Sequence, residues 1–282
     1  MKIMICGSGT MGRGIALVSI LSGHSAILFD KNQEALNQAK SFIDAQLKKS
    51  LEKGSIKSEQ YDNYSNQCVF TSELSKQVSR ADIVIEAIIE SLEIKEALFA
   101  SIEESGLRED AILATNTSSL SVNILSKNRK YPHNFIGLHF FNPAHIMKLV
   151  EIIRTPITKE EVLHTALEFC RSIKKVPVIA KDVPGFIVNR VARNYYNEAM
   201  RIATENASNP KQIDTLMKSL GFKMGPFELM DLIGNDVNLE VTKSVAAQYF
   251  NEPRFTPSLM QQDIVNAGRY GRKSGAGFYE YE

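Results

Sequence analysis

A glycine-rich segment near the start of the chain has the spacing of a phosphate-binding turn. Gly7-Ser8-Gly9-Thr10-Met11-Gly12 directly follows the apolar run at residues 2–6 and opens a stretch with helical spacing of apolar residues. In such a turn the first glycine permits the tight bend, the second lets phosphate approach the backbone, and the third allows helix and strand to pack closely. The triplet alone is weak evidence, but a strand before it and a helix after it favour a dinucleotide.

Asp30 is the residue that would choose between the two nicotinamide dinucleotides. It ends the second predicted strand, 18 residues after Gly12. A carboxylate there accepts hydrogen bonds from the adenine ribose diol and repels a 2′-phosphate, so NAD is favoured over NADP. Two alternatives stay open: Asp30 caps the helix that begins near Asn32, or the neighbouring Lys31 admits NADP.

Among the five histidines, His139 has the strongest case for a chemical role. Hydride transfer from a secondary alcohol needs a base for the hydroxyl proton, and histidine suits that role at neutral pH. His139 ends an apolar run and is expected at the carboxyl end of a strand, where open α/β sheets bind ligands. A satisfied core histidine is the alternative. His24, His133 and His164 are expected in a turn, a loop and a surface helix.

The elements that would position these residues form two groups along the chain. Strand-like runs alternate with helical stretches in the first group, as in a mostly parallel sheet. The runs are 2–6, 26–29, 82–87, 111–115, 135–138 and 176–180. After Val183-Pro184-Gly185, only helices are expected, at 186–206, 212–220, 226–250 and 258–266. This pattern predicts a Rossmann-type doubly wound α/β domain at residues 1–183, followed by an all-α domain at 184–282.

Composition argues against several other classes of protein. Hydrophobic residues make up 44% of the 282 residues, and the net charge is +1, so no global field favours nucleic acid or an anionic membrane. No signal peptide or run of transmembrane length is found. Cys6, Cys68 and Cys170 lie far apart without a CxxC pair, which predicts free thiols and no metal site. We expect a cytoplasmic protein without nucleic-acid or membrane partners.

Five sequence blocks together resemble the 3-hydroxyacyl-CoA dehydrogenase family, of the short single-function type. The resemblance runs from end to end of the chain. Its blocks are Asn116-Thr117-Ser118-Ser119-Leu120, His139-Phe140-Phe141-Asn142-Pro143, Met147-Lys148-Leu149-Val150-Glu151, Pro184-Gly185-Phe186-Ile187-Val188-Asn189-Arg190, and Gly271-Arg272-Lys273-Ser274-Gly275 with Gly277-Phe278-Tyr279.

The resemblance implies roles for four residues in the reaction. It makes His139 the general base and Glu151 the carboxylate that orients it, with Ser118 and Asn189 as hydrogen-bond partners of the reacting oxygen and the imidazole. Bonding of a carboxylate to one ring nitrogen fixes the tautomer and stabilises the imidazolium. The alternatives are a surface-strand position for Glu151, a helix N-cap for Ser118 and a polar-face position for Asn189.

By the same resemblance, other residues meet the two nucleotides. Glu90, Lys95, Asn142 and Lys273 would lie near the nicotinamide ribose, and Lys53 near the nucleotide end of coenzyme A. The alternative for Lys53 is compensation of a helix dipole. Lys95 would otherwise be a surface partner of carboxylates three or four residues away.

The family pattern is broken at His145: members usually carry Asn-Pro-x-Pro or Asn-Pro-x-x-Val after the catalytic histidine, whereas this chain has Asn142-Pro143-Ala144-His145-Ile146. A titratable group there suits a polar or carboxylated substrate, although a solvent-facing loop histidine is the alternative. Gln46 stands where some relatives use a serine toward coenzyme A, so an acyl-carrier protein remains a possible carrier.

The resemblance implies reversible, NAD-dependent oxidation of a 3-hydroxyacyl-CoA, with a short chain such as 3-hydroxybutyryl-CoA, by a homodimer. Three alternatives stay open. The substrate is a hydroxyacyl group on an acyl-carrier protein, such as a hydroxymalonyl-type group, or it is a free hydroxy acid, or the chain is a non-catalytic dinucleotide-binding protein like the crystallin-type relatives.

Overall fold

The computed structural model describes residues 1–281, which separate into two compact units after Asp182. The first unit contains one eight-stranded sheet and six α-helices. Its strands are β1 (Lys2–Cys6), β2 (Ser25–Phe29), β3 (Cys68–Thr71), β4 (Ile83–Glu86), β5 (Ile112–Thr115), β6 (Phe135–Phe140), β7 (Leu149–Arg154) and β8 (Val176–Lys181). Its helices are α1 (Thr10–Leu21), α2 (Gln33–Glu52), α3 (Ser58–Asn66), α4 (Leu92–Glu104), α5 (Val122–Lys127) and α6 (Glu160–Ser172).

The strand order is β3-β2-β1-β4-β5-β6-β7-β8, with β1 to β6 parallel. The order reverses between β1 and β4, so the carboxyl ends of these strands form the crevice in which doubly wound sheets bind ligands. β7 runs antiparallel to β6, and β8 pairs parallel with β7. The central strands β1, β4 and β5 read as continuous apolar runs because both of their faces are buried.

Two of these strands were not predicted from the sequence. β3 is a short edge strand with half-exposed residues, and β7 carries Glu151 within an apolar run. β6 also continues to Phe140, so His139 lies inside the strand and not just beyond it.

The second unit is helical within the described residues. Its helices are α7 (Val188–Thr204), α8 (Pro210–Ser219), α9 (Pro226–Ile233), α10 (Asn235–Gln248) and α11 (Leu259–Asn266). The predicted single helix at 226–250 is wrong, because Gly234 adopts φ +102° and separates α9 from α10. Among residues 1–281, no helix combines the length and apolar character that a bilayer crossing requires.

A buried carboxylate organises the end of the second unit. Asp231 is 0% exposed and accepts hydrogen bonds from the backbone N–H groups of Phe278 and Tyr279, from the Tyr281 hydroxyl, and from the Asn235 amide at 2.6 Å. A Cβ at Gly277 would lie 2.1 Å from the Asp231 carboxylate, so glycine is required there. The C-terminal sequence block therefore fastens the end of the chain to α9.

Candidate active site

The glycine turn connects β1 to α1 at the crevice of the sheet. Gly7 has φ +108°, and a Cβ there would lie 2.5 Å from the Ala87 carbonyl oxygen at the end of β4. A Cβ at Gly12 would lie 1.7 Å from the Gly7 carbonyl oxygen. Gly9 by contrast has nothing within 4 Å of an added Cβ. Two glycines are thus required by close packing, while Gly9 leaves open space for a phosphate at the helix start.

Asp30 follows β2 and is bonded to the glycine turn. Its Oδ2 accepts hydrogen bonds from the Ser8 N–H and hydroxyl, both at 2.8 Å, and its Oδ1 accepts one from the Asn32 N–H at 2.9 Å. The cap of α2 is Asn32, whose side chain accepts from the N–H groups of Glu34 and Ala35. The alternative that Asp30 caps this helix is therefore wrong. A carboxylate has about four acceptor sites, so Asp30 retains capacity for a ribose hydroxyl.

An open groove of about 990 Å³ lies in front of this turn. Its walls combine the glycine turn and Asp30 with the apolar residues Ile89, Ile94 and Leu98 near the start of α4. A cradle of backbone N–H groups, a ribose-binding carboxylate and apolar walls for a base fit an adenine dinucleotide. Within the described residues, no cluster of His, Cys, Asp or Glu has the arrangement of a metal site.

His139 and Glu151 form a buried hydrogen-bonded pair. They stand opposite each other in the antiparallel pairing of β6 with β7, with His139 Nδ1 and Glu151 Oε2 2.8 Å apart. Because the carboxylate only accepts, Nδ1 carries the proton and Nε2 is the basic nitrogen of the neutral ring. The side chain of Glu151 is 1% exposed, so its alternative as a surface-strand residue is wrong.

Ser118 lies in a turn after β5 that is built around the Glu90 carboxylate. Glu90 Oε1 accepts hydrogen bonds from the Thr117 hydroxyl at 2.5 Å, from the Ser118 N–H at 2.8 Å, and from the Ser119 N–H at 3.1 Å. The alternative N-cap role for Ser118 is wrong, because Ser121 is the cap of α5. A single carboxylate thus holds the backbone on which Ser118 stands.

Lys95 joins Glu90 to a second, fully buried carboxylate. Its Nζ lies 2.5 Å from Glu86 Oε1 and 3.2 Å from Glu90 Oε2, and the side chain is 1% exposed. The alternative of Lys95 as a surface partner of carboxylates three or four residues away is therefore wrong. The Lys95 ammonium and burial act in opposite directions on Glu90: burial raises the pKa, but Lys95 and the bonds from Thr117 and Ser118 hold it below its usual value.

Comparison with known proteins adds the decisive observation. The model of the 3-hydroxyacyl-CoA dehydrogenase NAD binding domain matches residues 2–183, and that of the 3-hydroxyacyl-CoA dehydrogenase C-terminal domain matches residues 185–281. The chain belongs to the 3-hydroxyacyl-CoA dehydrogenase family. This membership confirms the resemblance, the sheet domain followed by a helical domain, and NAD as the cofactor. The predicted NAD-dependent dehydrogenase activity is consistent with this family.

Individual members of the 3-hydroxyacyl-CoA dehydrogenase family are similar along the whole chain. A 3-hydroxyadipyl-CoA dehydrogenase of Escherichia coli is 44% identical over 280 residues, which cover 99% of this chain and 58% of that protein. The mitochondrial hydroxyacyl-coenzyme A dehydrogenase of Mus musculus is 36% identical, with coverage of 99% and 91%. A solved 3-hydroxybutyryl-CoA dehydrogenase of Escherichia coli superposes with a TM-score of 0.96 at 43% identity, covering 100% of this chain and 59% of that one. The chain therefore spans little more than half of the Escherichia coli relatives.

The remaining residues suggested by the family resemblance are in other elements of the two units. Asn142 is exposed and directly precedes Pro143, after the end of β6. Lys53 is the exposed C-cap residue of α2. Asn189 and Lys273 belong to the second unit, where Asn189 is in the first turn of α7 and Lys273 Nζ lies 2.6 Å from Asp236. Their roles stay predictions.

Sequence reasoning overlooked three residues that position this family's motifs. Glu86 binds Lys95 and accepts the Thr115 hydroxyl at 2.6 Å. Asn116 Oδ1 accepts the Phe140 N–H at 2.9 Å and so ties the Ser118 turn to the strand that carries His139. Asp182 Oδ2 accepts hydrogen bonds from the Ser121 hydroxyl and the Asn123 N–H at the start of α5, both at 2.7 Å. Glu86 is the last residue of β4, and Asn116 directly follows β5. Polar residues at the carboxyl ends of two buried strands are the sequence signal by which both residues could have been found.

Proposed function

We propose that this chain oxidises 3-hydroxyacyl-CoA to 3-oxoacyl-CoA with NAD⁺ and catalyses the reverse reduction with NADH. The observation that carries the proposal is the buried pair of His139 and Glu151, with Nδ1 and Oε2 2.8 Å apart, at the carboxyl end of β6. A neutral imidazole held by a carboxylate is suited to accept the proton of a secondary alcohol. Family membership supports both the substrate class and the cofactor.

In the oxidation, the hydroxyl proton at C3 passes to His139 Nε2 while the C3–H bond breaks. When bound, NAD⁺ supplies the acceptor for that hydride, so that C3 loses two electrons and becomes a ketone. Glu151 stabilises the imidazolium that forms and keeps the ring in one orientation. The Ser118 hydroxyl is the hydrogen-bond donor to the oxygen at C3, and Glu90 positions Ser118 by binding its turn. By the family resemblance, Asn189 is a hydrogen-bond partner of the reacting oxygen and the imidazole.

The cofactor is NAD in preference to NADP, and Asp30 carries this selection. Its carboxylate is fixed by Ser8 and Asn32 at one end of the groove, where a 2′-phosphate would meet a negative charge. Glycines 7, 9 and 12 with Thr10 and Met11 hold the pyrophosphate at the start of α1. Glu90, Lys95, Asn142 and Lys273 belong to the nicotinamide side.

The acyl chain is short, and the carrier is coenzyme A with its nucleotide end near Lys53. The names of the Escherichia coli relatives, 3-hydroxyadipyl-CoA and 3-hydroxybutyryl-CoA dehydrogenase, support short thioesters with or without a terminal carboxylate. An acyl-carrier protein, a free hydroxy acid and a non-catalytic role are not favoured by the family match. Three free, buried cysteines suit a reducing compartment such as the cytoplasm.

The second unit carries the surface for a homodimer. Several of its large apolar side chains are exposed, among them Leu216 at 60%, Leu220 at 68% and Leu259 at 79%. Exposed apolar residues in such number indicate a protein–protein contact.

The proposed function is tested by following NADH oxidation with acetoacetyl-CoA, its carrier-protein analogue and free 3-oxo acids. Rapid turnover of acetoacetyl-CoA alone is the expected result. His139→Gln should lower kcat by about two to four orders of magnitude while NADH still binds. Preference for the carrier-protein thioester or for a free acid would change the substrate, and unchanged turnover in His139→Gln would refute the assigned base.

A further inference from the structure

Arg13, one residue after the glycine turn, has a guanidinium group that packs on an aromatic ring. The guanidinium lies over the ring of Phe42 in α2, 4.4 Å from the ring centroid. Its Nε is buried and finds no acceptor, and within residues 1–281 Arg13 forms no ion pair. Leaving a buried donor unpaired is costly. The contact with the Phe42 ring accounts for the position of the guanidinium. It provides no anion to balance the positive charge.

Two further basic side chains lie near Arg13: His145, in the loop that follows β6, and Lys175, directly before β8. His145 packs edge-on against Phe42, with the two ring centroids 5.4 Å apart. The Nζ of buried Lys175 donates to the carbonyl oxygens of Ala144 at 2.6 Å and Met147 at 2.7 Å, which holds the loop. His145 is half-buried against Phe42, and its alternative as a solvent-facing loop histidine stays open. We call Arg13, Phe42, His145 and Lys175 the basic cluster.

The basic cluster has no acidic counterpart among the described residues. Burial lowers the pKa of His145, and the charges of Lys175 and Arg13 lower it further. Burial also lowers the pKa of Lys175. None of these three basic groups is paired with a carboxylate within residues 1–281. Like charges gathered without a counter-charge are typical of a site for an anion.

The basic cluster lies between the catalytic strand and the exposed end of α2. His145 is in the loop that begins directly after β6, the strand of His139. On α2, helical spacing puts Phe42, Gln46 and Lys53 on nearly one face, with Lys53 about 16 Å further along the axis. A substrate that extends from His139 toward Lys53 along this face would pass the basic cluster.

We infer that the basic cluster binds an anionic oxygen group of the thioester substrate, with Arg13 as its main ligand. This inference rests on the proposed function and adds a site to it. The planar guanidinium can bind two oxygens of one carboxylate or phosphate, and Phe42 fixes its plane. Such a group has two sources in this substrate class: a carboxylate at the far end of the acyl chain, or a phosphate of coenzyme A.

The test measures binding of three thioesters that cannot be reduced, to the wild type and to Arg13→Met. Butyryl-pantetheine has neither anion, butyryl-CoA has the phosphates, and adipyl-CoA has both phosphates and carboxylate. If a phosphate is bound, Kd for both CoA thioesters rises roughly tenfold or more and Kd for the pantetheine thioester is unchanged. If the carboxylate is bound, only Kd for adipyl-CoA rises. Arg13→Lys should restore part of the affinity.

Arg80→Met is the matched control, because Arg80 is an exposed arginine of the same unit. The inference is refuted if Arg13→Met alters Kd no more than this control does, or weakens all three thioesters equally. Thermal unfolding of each variant shows whether the fold is retained, and His145→Gln, with a smaller expected rise in Kd, checks the cluster if Arg13→Met does not fold. If the wild type neither binds nor turns over any thioester, the proposed function itself is contradicted, and the inference fails with it.

Discussion

Glu151 faces His139 directly across the antiparallel strands β6 and β7, and the two side chains meet at 2.8 Å. Residues directly opposite on such strands have Cβ atoms about 5 Å apart, which suits one carboxylate and one imidazole. The main-chain pairing therefore sets the geometry of the dyad.

Replacing Glu151 by Gln should lower kcat by about two to three orders of magnitude, because the amide neither selects the tautomer nor stabilises the imidazolium. Steady-state NADH oxidation measures the loss, and fluorescence titration should show unchanged NADH binding. Glu161→Gln, at an exposed position of α6, is the control and should keep full activity. An E151Q variant as active as this control would remove Glu151 from the mechanism.

The sequence predicted the nucleotide turn and His139 because their signals are local. Glycines between an apolar run and a helix are recognised from a few neighbouring residues. The pairing of His139 with Glu151 depends on β7, and that strand pairs antiparallel after a loop, against the parallel pattern of the preceding strands. Glu151 was reached only through the family resemblance.

Other features were beyond prediction because they are tertiary. The basic cluster collects Arg13, Phe42 and His145 from two helices and a loop. Helical spacing predicts contacts of Lys95 with residues three or four positions away, yet its side chain points back toward the helix start and reaches Glu86. The single helix predicted at 226–250 failed because one glycine, Gly234, outweighs the helical periodicity on both sides.

Asp30→Asn should reduce the preference for NAD over NADP by about tenfold or more, since a neutral amide no longer repels the 2′-phosphate. The ratio of kcat/KM values with the two cofactors measures this preference. Asp62→Asn, an exposed carboxylate in α3, serves as the control. If the ratio does not move in D30N, another residue selects the cofactor.

Lys95→Met should destabilise the first unit by about 3–5 kcal/mol, because it leaves the fully buried Glu86 carboxylate without its partner. Urea unfolding followed by far-UV circular dichroism measures the loss. The double variant Glu86→Gln/Lys95→Met removes both charges and should recover a large part of the stability. Equal losses in the single and double variants would show that the pair contributes through packing and not charge.

Stability should fall with acid in part through Glu90. The pKa of Glu90 is held below its ordinary value in the folded chain, so its contribution to stability is fully present above that ordinary value and is lost as the pH falls through the lower folded-state pKa. Glu90→Gln should show a shallower decrease of unfolding free energy between about pH 5 and pH 3. Parallel curves for E90Q and the wild type would mean that other carboxylates account for the acid dependence.

Asp231→Asn should loosen the end of the chain and destabilise the second unit by about 1–3 kcal/mol, because each carboxylate oxygen accepts from one backbone N–H group and an amide NH₂ replaces one of these two oxygens. Hydrogen exchange at Phe278 and Tyr279 should become faster. Asp263→Asn, exposed on α11, should leave this exchange unchanged. Slow exchange retained in D231N would show that the Asp231 charge does not hold the end of the chain.

Because β6 and β7 pair antiparallel, the residues for acid–base chemistry stand on the strands and the residues for substrate choice stand on the loop between them. Evolution can therefore change substrate choice without changing the acid–base chemistry. The loop between these strands, residues 141–148, carries His145 and Met147, whereas the dyad stands on the strands themselves. A change of loop sequence that preserves the strand register leaves the dyad in place, while a slip by one residue would move Glu151 to the opposite face of the sheet. We expect variation in this loop to diversify substrate choice among related enzymes while the acid–base chemistry is inherited unchanged.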